Sequence, residues 1–129
     1  MGTVVIDANA IVKGSWHLDS APWRLLRYRS RANIDRLVVP EIVVREVVGR
    51  YRVELSSTSD RARSLAADFR HLRLVHPSMP DIQVAGEAEG YERGLRRSLA
   101  ADLVDVAGPP VSVLDLADRA IARRRPFNE

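Results

Sequence analysis

Two short β-branched runs, each feeding directly into a helix, constrain the fold of this chain more than any other feature. Thr3-Val4-Val5-Ile6 ends in Asp7, and Leu37-Val38-Val39 ends in Pro40. Runs this apolar read as buried strands, and strands that alternate with helices imply a parallel sheet. Parallel neighbours need a crossover between them, and helices usually supply it. The order along the chain is strand, helices, strand, helices, a possible third strand, helix. That is an α/β pattern. It places Asp7 and, six residues past Pro40, Glu46 at the carboxyl ends of two βα units, where ligands gather in open α/β sheets.

The remaining elements follow from periodicity and punctuation. The first strand spans 3–7, and Asn9 is a candidate cap for the helix behind it. Ser20 caps a helix that has Pro22 in its first turn and runs from Trp23 to about Ala32. Its spacing puts Trp23, Leu25 and Leu26 inward and Arg24, Arg27, Arg29 and Arg31 outward, with Asn33 as the stop. After Pro40 a helix runs from Glu41 to about Leu55, with an apolar stripe of Val43, Val44, Val47, Val48 and Tyr51. Ser56-Ser57-Thr58-Ser59 reads as a turn. A further amphipathic helix over 60–72 buries Ala62, Leu65, Ala66, Phe69 and Leu72. The pattern breaks at His76-Pro77-Ser78-Met79-Pro80. Residues 81–101 form one long helix or two abutting ones, with Gly86, Gly90 and Gly94 evenly spaced. Their charged neighbours exclude a bilayer, so the glycines mean weak helix propensity or close packing. Val104-Asp105-Val106 is a possible third strand that ends at Gly108-Pro109-Pro110. Ser112 caps a last helix containing Val113, Leu114, Leu116, Ala117, Ala120 and Ile121.

Composition narrows the function classes. The chain has 129 residues, 46% hydrophobic and 29% charged, within the range of one globular domain. No apolar run approaches a membrane span of about 18 residues, and no secretory signal is visible. The absence of cysteine excludes disulfides, thiolate zinc sites and cysteine nucleophiles, and it fits a reducing cytoplasm. Net charge is +3, carried almost wholly by Arg, with Lys13 the single lysine. An Arg bias fits a GC-rich genome and also fits phosphate recognition. The histidines, His17, His71 and His76, are not placed for a serine–histidine nucleophile.

The chemistry centres on Asp7 and Glu46. Two carboxylates from separate elements form a hard-oxygen site suited to Mg²⁺ or Mn²⁺, which retain several waters and need few protein ligands. Such an ion activates water and shields the oxyanion that develops when a phosphodiester is cut. Asn9, two residues from Asp7, is placed to hydrogen-bond a ligand carboxylate or a metal-bound water. Read structurally instead, Asp7 caps the next helix and Glu46 pairs with Arg50 four residues on. Glu41, in the first turn, reads as a helix-dipole residue. Arg24, Arg27, Arg29 and Arg31 are candidates to line an RNA path. So are Arg123, Arg124 and Arg125, and the few aromatics beside them argue against base stacking.

Thr3 to Val12, with the string Val-Val-Ile-Asp-Ala-Asn-Ala-Ile-Val, resembles the opening strand and first acid of PIN-domain nucleases. Val38 to Val48 resembles their second acid block, and Leu114 to Phe127 resembles a subgroup of PIN-like proteins. The resemblance implies a three-layer α/β fold with a short parallel sheet flanked by helices. It implies a metal-dependent endoribonuclease, often the toxin of a toxin–antitoxin pair, with RNA, an antitoxin protein and a second copy of the chain as partners. Asp7 and Glu46 then take the catalytic and metal-holding roles, and Mg²⁺ or Mn²⁺ is the cofactor. The family uses three or four acids. The third falls beyond Glu129 in the preferred alignment, because Pro126-Phe127 precedes it in the subgroup. In the other alignment it is Asp118, with Asp115 one turn earlier. Residues 1–129 then make one PIN-like domain, its N-terminal two thirds, with the last strands and acids missing and weak or no nuclease activity alone. The rival readings are a catalytically inactive PIN-like module that binds RNA or a partner, and a purely helical regulatory protein without a parallel sheet.

Overall fold

In the computed structural model, residues 2–14, 16–75 and 81–108 are described. The chain forms β1 (Gly2–Val5), α1 (Ala8–Val12), α2 (Ala21–Arg31), β2 (Asp35–Pro40), α3 (Glu41–His71), α4 (Val84–Ala101) and β3 (Asp105–Ala107). The strands make a three-stranded sheet in the order β1-β2-β3, with both pairs parallel. That excludes the purely helical alternative. The expected last helix over 112–121, Asp115, Asp118 and Arg123 to Arg125 all lie outside the described residues.

Strand alternation sorts the sheet into two faces. Val4 lies opposite Leu37 and Val39 opposite Val106. Together with Ile6 and Val104 they form the face that joins the core. Leu37 and Val39 are fully buried there, with Ile11, Leu18 and Trp23 from the segment between β1 and β2. Val44, Val47 and Val48 of α3 and Leu95 and Leu99 of α4 close it. The stripe expected on α3 is therefore the one the core uses. On the opposite face Val5 is 61% exposed, and Arg36 reaches across to Asp105 at 2.7 Å. Among the described residues β1 pairs on one side only.

Helix ends follow local chemistry. Ser20 Oγ accepts the Trp23 N–H, and Asp7 caps α1 by accepting the Ala10 N–H at 3.2 Å. Asp7, not Asn9, is therefore the cap. Helices α2, α3 and α4 each finish on a left-handed residue, Asn33, Arg73 and Leu103, with φ of 56°, 54° and 60°. In each case the next residue's N–H returns to a carbonyl five positions back: Ile34 to Arg29, Leu74 to Phe69 and Val104 to Leu99. This is the Schellman arrangement, and only Asn33 is a residue that commonly tolerates it.

Two expectations fail. The turn at Ser56–Ser59 does not form, and α3 runs unbroken for 31 residues. Ser and Thr lower helix propensity by only a few tenths of a kcal/mol, and neither Gly nor Pro falls there to break the ladder. Arg61 and Arg63 also donate to the Thr58 and Ser59 hydroxyls at 3.1 and 3.2 Å, and Ser59 is buried. On α2 and the outer half of α3, three of the residues expected to face inward do not, since Leu25, Leu65 and Leu72 are exposed.

The α2 arginines are anchors. The buried Asp102 carboxylate accepts from Arg27 Nε at 2.9 Å, Arg31 Nη2 at 3.3 Å and Trp23 Nε1 at 3.5 Å. Its backbone carbonyl accepts from Ser30 Oγ at 3.1 Å, and Arg29 pairs with Asp35. Three of the four arginines proposed for an RNA path therefore tie α2 to the end of α4 and to β2.

Candidate functional site

The carboxyl ends of β1 and β2 are adjacent because the two strands pair in parallel register, Val5 against Val38. The pairing continues one residue further, where the Ile6 N–H donates to the Val38 carbonyl at 2.9 Å. Asp7 follows immediately, leaves the sheet in an extended conformation and starts α1. Pro40 ends β2 and α3 begins at Glu41. Glu46 then sits just over one turn into α3, on the side away from buried Val44, Val47 and Val48.

A hydrogen-bonded chain links the two units. Arg50 Nη1 donates to Asn9 Oδ1 at 3.1 Å, and Arg50 Nη2 lies 3.2 Å from Glu46 Oε1. Asn9 is in the first turn of α1, which Asp7 caps. The structure thus brings Glu46, Arg50 and Asn9 together, with Asp7 two residues from Asn9. The interactions expected of the plain structural reading are present, namely the Asp7 cap and the Glu46–Arg50 pair. Arg50 stands out in the sequence only as that partner; its second bond, to Asn9, needs the tertiary fold. Both ions of the Glu46–Arg50 pair are close to half exposed, and such pairs are worth only about 0.3–0.5 kcal/mol.

As a donor set, Asp7 and Glu46 are hard, solvent-facing carboxylates. One Mg²⁺ or Mn²⁺ retaining most of its waters asks for no more protein ligands than this. Arg50 works against it by partly neutralising Glu46. Among the described residues no group of three or more His, Cys, Asp or Glu is placed to hold one metal ion.

Glu41 has a different part. Arg96 of α4 grips it with both terminal guanidinium nitrogens, Nη1 at 2.9 Å to Oε2 and Nη2 to Oε1, and Arg45 lies 3.6 Å away. The Arg96 hydrogen bonds hold the Glu41 carboxyl below its ordinary range, against an opposing effect of burial. Besides opening α3, Glu41 therefore clamps α3 to α4.

One assembly is missing from the sequence reading. Trp16, Tyr51 and Tyr91 come from three separate segments and meet at one hollow. Tyr51 stacks on Tyr91 at 3.9 Å, and Trp16 stands edge-on to both at 5.4 and 6.0 Å. The Tyr91 hydroxyl donates to the Trp16 carbonyl at 2.6 Å. Burial, helped by Tyr51, pushes the Tyr91 phenol well above its ordinary value. The sequence signals were Tyr51 at the end of the α3 stripe and Tyr91 between Gly90 and Gly94.

No family model matches the chain, and neither the curated proteins nor the solved structures contain a match. No helix among the described residues is long and apolar enough to cross a membrane.

Proposed function

We propose that this chain is a PIN-like, metal-dependent endoribonuclease domain in which Asp7 and Glu46 hold Mg²⁺ or Mn²⁺. The observation that supports this reading is the placement of the two acids. They follow the carboxyl ends of paired parallel strands, and the Asn9–Arg50–Glu46 chain joins their segments. A divalent ion bound there supplies water activation and neutralises charge on the oxyanion. The chain's own groups do the rest. Asp7 and Glu46 bind through oxygens from separate elements. Asn9 orients a ligand or its water by hydrogen bonding. Arg50, weakly held by Glu46, exchanges that carboxylate for a substrate phosphate, which its planar fork also fits.

The test is Mn²⁺ binding and Mn²⁺-dependent RNA cleavage in wild type, Asp7→Asn and Glu46→Gln. The reading expects the wild type to bind the ion, and each substitution to weaken that binding and abolish whatever cleavage the wild type shows. Cleavage that survives EDTA or both substitutions would refute it.

Arg50 also favours a second reading, because a cation already bonded to Glu46 suits a module that keeps the fold without the chemistry. Such a module binds RNA or a protein partner, an antitoxin for instance. It predicts RNA binding that is indifferent to EDTA and to Asp7→Asn, with no cleavage under any metal.

A further inference from the structure

The hollow beside Trp16, Tyr51 and Tyr91 is a cleft of about 320 Å³, at the lower end of the size range of small-ligand pockets. Tyr91 is buried at its base, fixed by its stack on Tyr51 and its bond to the Trp16 carbonyl. Trp16 and Tyr51 are only half-buried, and both border the opening. On the α4 side the wall is bare backbone at Gly90 and Gly94, and among the described residues a Cβ at Gly94 would meet nothing within 4 Å. Close packing, one of the two explanations offered by the sequence, is therefore not why glycine stands at 94. The rim is polar, with His17, Glu87 and Ser98. Aromatic walls, a flat bare side and hydrogen-bonding groups at the edge match the face and edge of a nucleobase.

The cleft and the acidic site share α3 and the segment that follows β1. Tyr51 directly follows Arg50 on α3, about 7.5 Å along the helix axis from Glu46 and roughly 140° around it, on the face that packs on the core. At the other end, α1 runs from the Asp7 cap to Val12, and Trp16 comes shortly after. We propose that this cleft takes one unpaired nucleobase of a single-stranded RNA. The identity of the strand as substrate rests on the nuclease reading, whereas the affinity of the cleft for a base does not. The scarcity of aromatics that argued against stacking in the sequence is answered by their convergence in space.

The experiment titrates a fluorescently labelled tetraadenylate, followed by anisotropy, and competes it with AMP. It is done in EDTA with wild type, Gly94→Leu and Trp16→Leu, and melting curves are recorded for each protein. The side chain introduced by Gly94→Leu would fill the cleft from a position with no steric neighbour. The expected result is at least tenfold weaker tetraadenylate binding in both variants, AMP competing more weakly than unlabelled tetraadenylate, and Gly94→Leu melting no lower than wild type. Should Gly94→Leu melt lower, Trp16→Leu and Gly94→Ala carry the comparison. Wild-type affinity in a folded Gly94→Leu or Trp16→Leu protein, or no binding by the wild type, overturns the proposal. AMP competing as well as the oligonucleotide overturns the strand assignment. The two readings fail separately. Binding in EDTA by a wild type whose Mn²⁺ binding is absent, or is unchanged in Asp7→Asn and Glu46→Gln, sinks the nuclease and leaves the cleft. Cleavage lost in Asp7→Asn, without binding in EDTA, does the reverse.

Discussion

Replacing Arg50 with alanine should tighten Mn²⁺ binding, and the size of the effect follows from the geometry. The Arg50 guanidinium lies 3.2 Å from Glu46 Oε1, so an ion on that carboxylate would sit roughly 5 Å from a positive charge. Two unit charges 4 Å apart in water interact by about 1 kcal/mol, and a divalent ion doubles this. At roughly 5 Å the repulsion is near 1.7 kcal/mol, falling toward 1 kcal/mol as salt screens it. Removing it should lower the dissociation constant by roughly five- to twentyfold. The cost to folding is small, because a half-exposed pair on one helix contributes about 0.3–0.5 kcal/mol. Isothermal titration with Mn²⁺ measures the change directly, and repeating it at high salt should shrink it. Arg50→Lys keeps the charge without the fork and should bind close to wild type. The reasoning fails if Arg50→Ala binds Mn²⁺ no more tightly than wild type. It fails equally if the gain survives in a Glu46→Gln background, because Glu46 would then not be a ligand.

Four further outcomes follow from the fold. Asp102→Asn keeps the side-chain shape but weakens the hold on Arg27, Arg31 and Trp23; urea unfolding should show a loss of about 2 kcal/mol with unchanged m. Leu103, 63% exposed and left-handed at φ 60°, should be improved by glycine, with Leu103→Gly gaining roughly 0.5–1 kcal/mol in the same assay. Gly94→Ala fills empty space on α4 and should gain up to about 1 kcal/mol, seen as a higher melting temperature. Glu41 has a folded pKa below its unfolded value, so its contribution is present above the unfolded value and lost as pH falls through the folded one. Wild type should therefore lose stability on acidification below about pH 4.5 more steeply than Glu41→Gln, which is already weaker at pH 7.

The parts of this fold that were legible in the sequence are those set by periodicity and by unambiguous punctuation. The Val43-to-Tyr51 stripe, the Ser20 cap and the two β-branched runs each have one physical meaning, and each appears where expected. The serines at 56–59 misled because a residue that favours turns does not impose one when side-chain bonds along the helix and neighbouring propensity favour helix. The arginines of α2 misled for a related reason. Helical spacing shows which way a side chain leaves the helix, but not that Asp102, on a distant segment, waits there. The α/β class and the adjacency of the Asp7 and Glu46 segments follow from strand order alone. The Asn9–Arg50 link and the aromatic cleft do not, because each joins residues whose nearness is created by packing α1 and α4 against α3.

The unbroken α3 has a mechanical meaning. Thirty-one residues make a rod of about 46 Å; its first half carries Val44, Val47 and Val48 of the core, and among the described residues the second half adds the buried Ser59. Kinks form at proline, at glycine or at disruptions of the ladder, and from Arg50 to His71 the rod contains neither residue. Glu46 and Tyr51 ride near its anchored end. A load applied at its far end therefore meets no proline or glycine hinge before it reaches the segment bearing these two side chains.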